Sequence, residues 1–486
     1  MDNLKQITLR GGFAKLFGQG SNFLVRVAYM ITLARLLDPK DFGLVGMVTA
    51  VTGVYHLFTT AGLSTATIQR VDVTEQQLSN LFWVNILVGI ILSLLCVVTA
   101  PVIAKFYNEP RLFWVTIATS VAFLLNGAGV QHSALLHRQL RFISIAGIEA
   151  VAQLLSFCFG IGMALAGFGY WALVAAAIVQ PAANTIGVWL LAGWIPSAPR
   201  RGAGVRSMLR LGASVTLNGL VVYVAYSLDK VLLGRFWGAD ALGIYGRAYT
   251  LIEFPTHYLN GAIGGVTFSA LSRLQEDHVR LKSYFLKGYS VVVSITLPIT
   301  VFCALFAGEV ILITLGPKWK EAAVIFRLLA PTILVFGMIN PLYWFLMTVG
   351  LQRRSLNIAF FIAPWVTAAY LIGLPYGAEG VALAFSAAMT LFLVPCLVWC
   401  VYGTIISTEE LFKTVSRPFL SAIAAGIVAY IFHAFTAQAL NPAVMLLLGG
   451  GIMLAVYLCV LLFVLGQWDF YLDLVNGLLA PEPRSR

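Results

Sequence analysis

The sequence predicts an all-α polytopic membrane protein with about fourteen transmembrane helices. Hydrophobic residues make up 60% of the 486 residues, charged residues make up 10%, and the mean hydropathy is +0.89. A soluble domain carries about 25% charged residues. Apolar runs of about 20 residues, which cross a bilayer as helices, follow one another along nearly the whole chain. The alternating pattern of a membrane β-barrel is absent from the sequence.

The connections between the apolar runs are too short for a soluble domain. They hold at most roughly 18 residues, whereas domains begin near 50. The predicted segments lie at 13–37, 42–62, 80–104, 112–135, 144–166, 170–194, 208–235, 243–270, 288–315, 321–349, 356–375, 380–404, 418–436 and 443–466.

The first segment begins as a secretory signal does, with basic residues before an apolar run. Arg26 interrupts that run and no small-residue cleavage site follows, so we expect the segment to be retained. The six cysteines all lie in apolar segments, without zinc-like or redox spacing, and are predicted to pack as small apolar side chains. The sequence predicts no cofactor and no metal.

Most lysines and arginines fall on one side of the predicted membrane. If the N-terminus is inside, the inner connections hold most of the 31 basic residues, and the outer connections hold Lys40, Lys105, Arg111, Lys318 and Lys320. This bias predicts cytoplasmic termini and an even number of crossings. The basic residues are spread over many short loops, which favours contact with anionic lipid over nucleic-acid binding.

One stretch of the chain occurs twice. Residues 33–46 read LARLLDPKDFGLVG and residues 233–246 read LGRFWGADALGIYG, so that a leucine, an arginine and two glycines recur at an offset of 200. Both copies lie at the outer turn after the first segment of a six-segment set, which predicts a parallel repeat. We therefore expect one six-helix lobe at 1–200, a second at 201–410, and two additional helices with a short tail at 411–486. Arg35 and Arg235 lie at helix ends, where long side chains reach the surface.

Polar side chains form stripes inside several predicted segments. Buried charges are costly in a bilayer, so their depth is informative. Gln19, Asn22, Arg26 and Tyr29 share one face of the first segment, because their spacing is three or four residues. Arg26 lies roughly 18 Å below the outer end. Further candidates for a cationic cavity that binds substrate are Asn218, Lys230, Arg247 and Arg327, and candidates for carrying a coupling proton or sodium ion are Asp229, Glu253, His257 and Glu149.

Two interpretations stay open for each charged residue: a structural ion pair, such as Asp229 with Arg247, or a place in the wall of a water-filled cavity. For Asn218 and the histidines, an interhelical hydrogen bond is the favoured interpretation. An excess of cations would suit an anionic substrate such as a phosphate or pyrophosphate.

No nucleotide-binding loop, zinc-binding histidine pair or nucleophile elbow is present, so the sequence does not predict an enzyme. Four stretches carry a resemblance to a known family: LARLLDPKDFGLVG, LLHRQLRF at 135–142, SLDKVLLGRFWGADALGIYGRAYTL at 227–251 and LGPKWKEAAVIFRLLAP at 315–331. They resemble the polysaccharide transporter family of Wzx-type flippases. This family belongs to the multidrug, oligosaccharidyl-lipid and polysaccharide exporter superfamily, and the resemblance is to its colanic-acid and teichuronic-acid exporter branch.

The resemblance implies a flippase of the bacterial inner membrane that moves an undecaprenyl-diphosphate-linked sugar unit outward by rocking of two lobes. It also implies membrane lipids, H⁺ or Na⁺, and a polysaccharide polymerase with other assembly proteins as partners. Three alternatives remain: a lipid II flippase, a cation-coupled drug exporter of the same superfamily, and a membrane polysaccharide polymerase or ligase. Short outer connections argue against the enzyme, and the excess of arginine and lysine argues against the drug exporter.

Overall fold

A computed structural model describes residues 25–60, 73–200, 226–256, 274–436 and 439–472, with the single residues 67, 223 and 271. The helices of the first part are α1 (25–36), α2 (Pro39–Thr60), α3 (Glu75–Tyr107), α4 (Arg111–Arg138), α5 (Phe142–Leu165), α6 (Trp171–Ala192) and α7 (226–256). They are followed by α8 (His278–Leu305), α9 (Ala307–Thr314), α10 (Ala322–Leu329), α11 (Pro331–Thr348), α12 (Gln352–Gly373), α13 (Gly377–Val401), α14 (Thr408–Thr436) and α15 (Pro442–Cys459).

The described residues contain no β-strand, which confirms the all-α prediction. Ten of their helical stretches are long and apolar enough to cross a membrane, and one of these, Gln352–Val401, contains both α12 and α13. The chain is therefore a multi-pass membrane protein. Segments 9 and 10 are each built from two helices, α8 with α9 and α10 with α11, and Pro331 opens α11.

Local sequence explains where several helices begin and end. Thr74 and Gln77 form a capping box at the start of α3, in which each side chain accepts a hydrogen bond from the other residue's backbone N–H. The predicted turn of the second repeat is made by Gly238, whose φ of +82° is a conformation that favours glycine. Asp38 occupies the corresponding position of the first repeat and accompanies the bend before α2.

The chain forms two compact units, Met1–Gly246 and Arg247–Arg486. In the first, α3 packs along α4, and α4 and α5 both pack along α6. In the second, α8 packs against α11 and α14, and α12 and α13 form a hairpin. The lobe boundaries at residues 200 and 410 stay predictions.

The connection between α3 and α4 contains a bidentate ion pair between Arg111 and Glu109. Arg111 donates from Nε to Glu109 Oε1 at 2.8 Å and from a terminal nitrogen to Oε2 at 2.9 Å. The hydrogen bonds from Arg111 lower the pKa of the Glu109 carboxyl from its ordinary value. The stabilisation is therefore present above the ordinary pKa of glutamate and is lost as the pH falls through the lowered value. This pair lies at the connection between α3 and α4 in the first unit.

Glycines allow α3 and α4 to lie against each other. A Cβ added to Gly127 would lie 2.7 Å from the backbone oxygen of Asn85, and one added to Gly89 would lie 2.8 Å from that of Phe123. Such contacts are typical of membrane helices, which associate through small residues because lipid supplies little hydrophobic driving force.

We expect Gly127→Val to destabilise the first unit by about 1–3 kcal/mol, because the side chain would push two backbones apart. The measurement is thermal unfolding of the detergent-solubilised protein. Gly147→Val on α5 is the matched control, since a Cβ at Gly147 meets nothing within 4 Å. Equal melting temperatures for the two variants would show that α3 and α4 do not need this close approach.

Candidate functional site

Arg26 lies on α1 with its side chain exposed. It precedes the end of α1 at residue 36 by roughly 15 Å at 1.5 Å per residue, so its side chain does not easily reach beyond that end. None of the described residues forms an ion pair with it. A guanidinium is charged at any physiological pH and is strongly disfavoured in hydrocarbon. Arg26 therefore stays a candidate for the wall of a water-filled cavity.

Tyr29, three residues further along α1, packs inside the first unit. Its ring stacks on Phe157 of α5 with centroids 3.8 Å apart and an interplanar angle of 9°. Its hydroxyl would lie 2.5 Å from a Cβ added to Gly160, so this glycine makes room for the tyrosine. The aromatic stack attaches α1 to α5 and thereby orients the helix that carries Arg26.

Asp229 is enclosed by protein, with 0% of its surface exposed. Its Oδ2 accepts a hydrogen bond from the Tyr245 hydroxyl at 2.8 Å, and its Oδ1 accepts one from the backbone N–H of Lys230 at 2.7 Å. Tyr245 is also fully buried. The carboxylate therefore ties together the two arms of α7 on either side of Gly238, which supports the structural interpretation of Asp229.

The remaining candidates divide by exposure. Glu253 and Glu149 are exposed, whereas Lys230 and Arg247 are half-buried. Arg327 is exposed and donates from Nε to the backbone oxygen of Ala304 at 3.2 Å, so it satisfies a carbonyl in the last turn of α8. Three further candidates, Asn22, Asn218 and His257, lie outside the described residues. Of these candidates, Asp229 and Lys230 are in contact, through the backbone N–H of Lys230.

Sequence reasoning missed Tyr245 as the partner of Asp229. A signal for it exists, because Gly238 reverses the chain within α7 and residues at similar distances before and after the turn come side by side. Asp229 lies nine positions before Gly238 and Tyr245 lies seven positions after it. A polar stripe along a single helix does not contain this pair, because only residues three or four apart are neighbours on one helix.

Comparison with known proteins agrees with the architecture. A sequence model of the family described as "Polysaccharide biosynthesis protein" matches residues 32–324, more than half of the chain. The chain is 28% identical over 380 residues to the teichuronic acid biosynthesis protein TuaB of Bacillus subtilis, covering 76% of this chain and 77% of the relative. It is also 28% identical over 365 residues to the lipopolysaccharide biosynthesis protein WzxC of Escherichia coli, covering 73% of each.

Solved structures show the same fold at low sequence identity. The lipid II flippase MurJ in an inward closed conformation superimposes with a TM-score of 0.77 at 14% identity, covering 96% of this chain and 100% of the other. An inward-facing multidrug resistance MATE family transporter of the MOP superfamily gives a TM-score of 0.62 at 16% identity, covering 78% of this chain and 93% of the other. The chain therefore belongs to the polysaccharide biosynthesis protein family and has the fold of the multidrug, oligosaccharidyl-lipid and polysaccharide exporter superfamily.

Proposed function

We propose that this protein is a transporter that flips undecaprenyl-diphosphate-linked oligosaccharide repeat units, or a related polysaccharide, across the bacterial inner membrane. Family membership supports a role in polysaccharide biosynthesis. A further relative, from Rhizobium meliloti, is named a succinoglycan biosynthesis transport protein and matches 99% of this chain at 22% identity. The protein is a transporter and not an enzyme, since the relatives that are named by their activity are this transport protein and a putative O-antigen transporter of Escherichia coli.

The observation that supports the substrate class is the exposed guanidinium of Arg26, which lies within the first predicted membrane segment. A diphosphate needs cationic hydrogen-bond donors on its way across the bilayer, and arginine binds phosphate through two parallel hydrogen bonds. The sugars would share a polar cavity with the diphosphate, while the polyprenyl tail stays in lipid. Two lobes would expose this cavity to each side of the membrane in turn.

The coupling ion, the orientation and the partners belong to the same proposal. Among the acidic candidates, Glu253 and Glu149 are exposed in the structure, and an ion-carrying carboxylate must be reachable from water. Both termini would be cytoplasmic, as the distribution of basic residues predicts. A polysaccharide polymerase on the outer face would consume the flipped repeat unit.

A reconstituted flipping measurement tests the proposal. The full chain is placed in liposomes with an undecaprenyl-diphosphate-linked oligosaccharide on the inner leaflet, and a membrane-impermeant glycosidase added outside reports each sugar that arrives. We expect protein-dependent cleavage above that of empty liposomes. Cleavage no faster than in liposomes carrying heat-unfolded protein would contradict the proposal. Lipid II as a second substrate decides between a repeat-unit flippase and a lipid II flippase.

A further inference from the structure

The two copies of the repeated turn touch each other through their glycines. A Cβ added to Gly43 would fall inside the backbone carbonyl group of Ala239, and one added to Gly243 would fall inside that of Pro39. Pro39 and Ala239 occupy the same place in the two copies, as do the two glycines. Each copy therefore gives its partner the same contact that it receives, which is what a pseudo-twofold axis between the glycines produces.

The contact is a direct approach of two helix backbones. In the second copy, Ala239 and Gly243 form a small-xxx-small pattern, in which membrane helices come close enough for backbone contacts, and in the first copy Pro39 takes the place of the alanine. Leu44, Leu233 and Leu242 around the crossing are buried. The second copy, residues 233–246, belongs to the first compact unit, which extends to Gly246.

Two further side chains, Arg235 of the second copy and Tyr223 ten residues before that copy, contact the first six helices near this crossing. The guanidinium of Arg235 lies 5.7 Å from the ring centroid of Phe106, at the end of α3. It also donates from a terminal nitrogen to the side-chain oxygen of Asn108 at 3.2 Å. Further along α2, the Tyr223 hydroxyl lies 3.0 Å from the backbone oxygen of Thr49 and 3.2 Å from that of Ala50.

We infer that the paired glycines are an outer gate, held closed in this structure, that must separate when the protein opens to the outer side. The inference rests on the proposed transport, because it is the alternation of access that requires the two copies to part. The crossing suits a reversible contact, since its centre buries no charge and separating two intact helices there breaks none of their internal hydrogen bonds. Each copy of the repeated sequence would then supply one of the two helices that form the gate.

A pair of cysteines across the crossing tests whether it opens. A Cβ added to Gly46 would lie 3.5 Å from Cδ2 and 3.6 Å from Cγ of Leu242, so Gly46→Cys with Leu242→Cys brings two thiols near disulfide distance. We expect oxidation of this pair to slow flipping of the undecaprenyl-linked oligosaccharide by about tenfold or more, and reduction to restore it. Single-cysteine variants should not respond to oxidation. Unchanged flipping by protein that is almost fully cross-linked would overturn the gate.

A second measurement tests opening of the gate by the rate of cysteine labelling and needs no substrate. Leu242→Cys is treated from the outer side with a membrane-impermeant maleimide, with wild-type protein as the background. Leu112→Cys is the matched control, because Leu112 is fully buried in the first turn of α4 and is not among the nearest neighbours of Gly43 or Gly243. We expect faster labelling at 242 than at 112, and equal protection would overturn the gate even if flipping of the chosen substrate fails. Labelling of Leu242→Cys supports the gate by itself. If it is labelled but the reduced Gly46→Cys/Leu242→Cys protein does not flip the undecaprenyl-linked oligosaccharide, the gate stands and the proposed function fails.

Discussion

Replacing Arg26 with alanine is expected to abolish transport while leaving the protein folded in the membrane. The side chain is exposed and none of the described residues forms an ion pair with it, so the truncation breaks no observed ion pair. A lost charge-assisted contact to a phosphate costs about 2 kcal/mol or more, which is roughly a 30-fold loss of rate. The measurement is the liposome flipping rate, together with the amount of surface polysaccharide made by cells that depend on this protein.

Two controls separate binding from folding in that experiment. Arg26→Lys keeps the charge but loses the forked geometry, so we expect an intermediate rate. Arg327→Ala removes an arginine that satisfies the Ala304 carbonyl instead, and we expect nearly normal transport. Normal surface polysaccharide in the Arg26→Ala variant, at equal protein level, would remove Arg26 from the proposed cavity.

Replacing Asp229 with leucine is expected to destabilise the first unit. The substitution leaves the buried hydroxyl of Tyr245 without this acceptor, and an unsatisfied buried group costs about 1–3 kcal/mol. We expect a lower melting temperature in detergent for Asp229→Leu and a smaller decrease for Tyr245→Phe. The double variant should be less destabilised than the sum of the two, because both substitutions break one hydrogen bond.

Asp229→Asn decides between the two interpretations of this carboxylate. An asparagine retains an oxygen acceptor and nearly the same shape, so a structural role predicts near-normal stability and measurable transport. If the asparagine variant melts like the wild type and does not transport, the carboxylate has an ion-coupling role. Glu253→Gln is the companion variant, because it tests an ion-coupling role for a carboxylate that is exposed.

The helices were predictable because their signals are local. An apolar run of sufficient length marks a membrane helix whatever it packs against, so segments 2 to 6 coincide closely with α2 to α6. The breaks within segments 9 and 10, at Phe306 and Ala330, were not predicted. Hydropathy is continuous across them, because the residues on both sides are apolar.

The candidate residues were predictable as a set of unusual polar side chains, but their roles were not. Arg26 and Asp229 both stood out as charges within apolar runs. The structure leaves the first exposed and encloses the second with Tyr245, although both lie on the corresponding face of a first helix. Their environments depend on which neighbouring helix supplies a partner, and that neighbour comes from elsewhere in the chain.

The repeat shows most clearly which features follow from the sequence and which depend on the tertiary structure. By itself the sequence determined the membrane class, the positions of the apolar segments and the 200-residue offset that pairs Gly43 with Gly243. Each of these is a property of the order of residues along the chain. Only the tertiary structure decided that the paired glycines lie on each other's backbones and that Arg235 rests on Phe106. Such contacts depend on how each helix is rotated and tilted against its neighbours, and in a bilayer this is set by close packing of small residues rather than by the hydrophobicity that locates the helices.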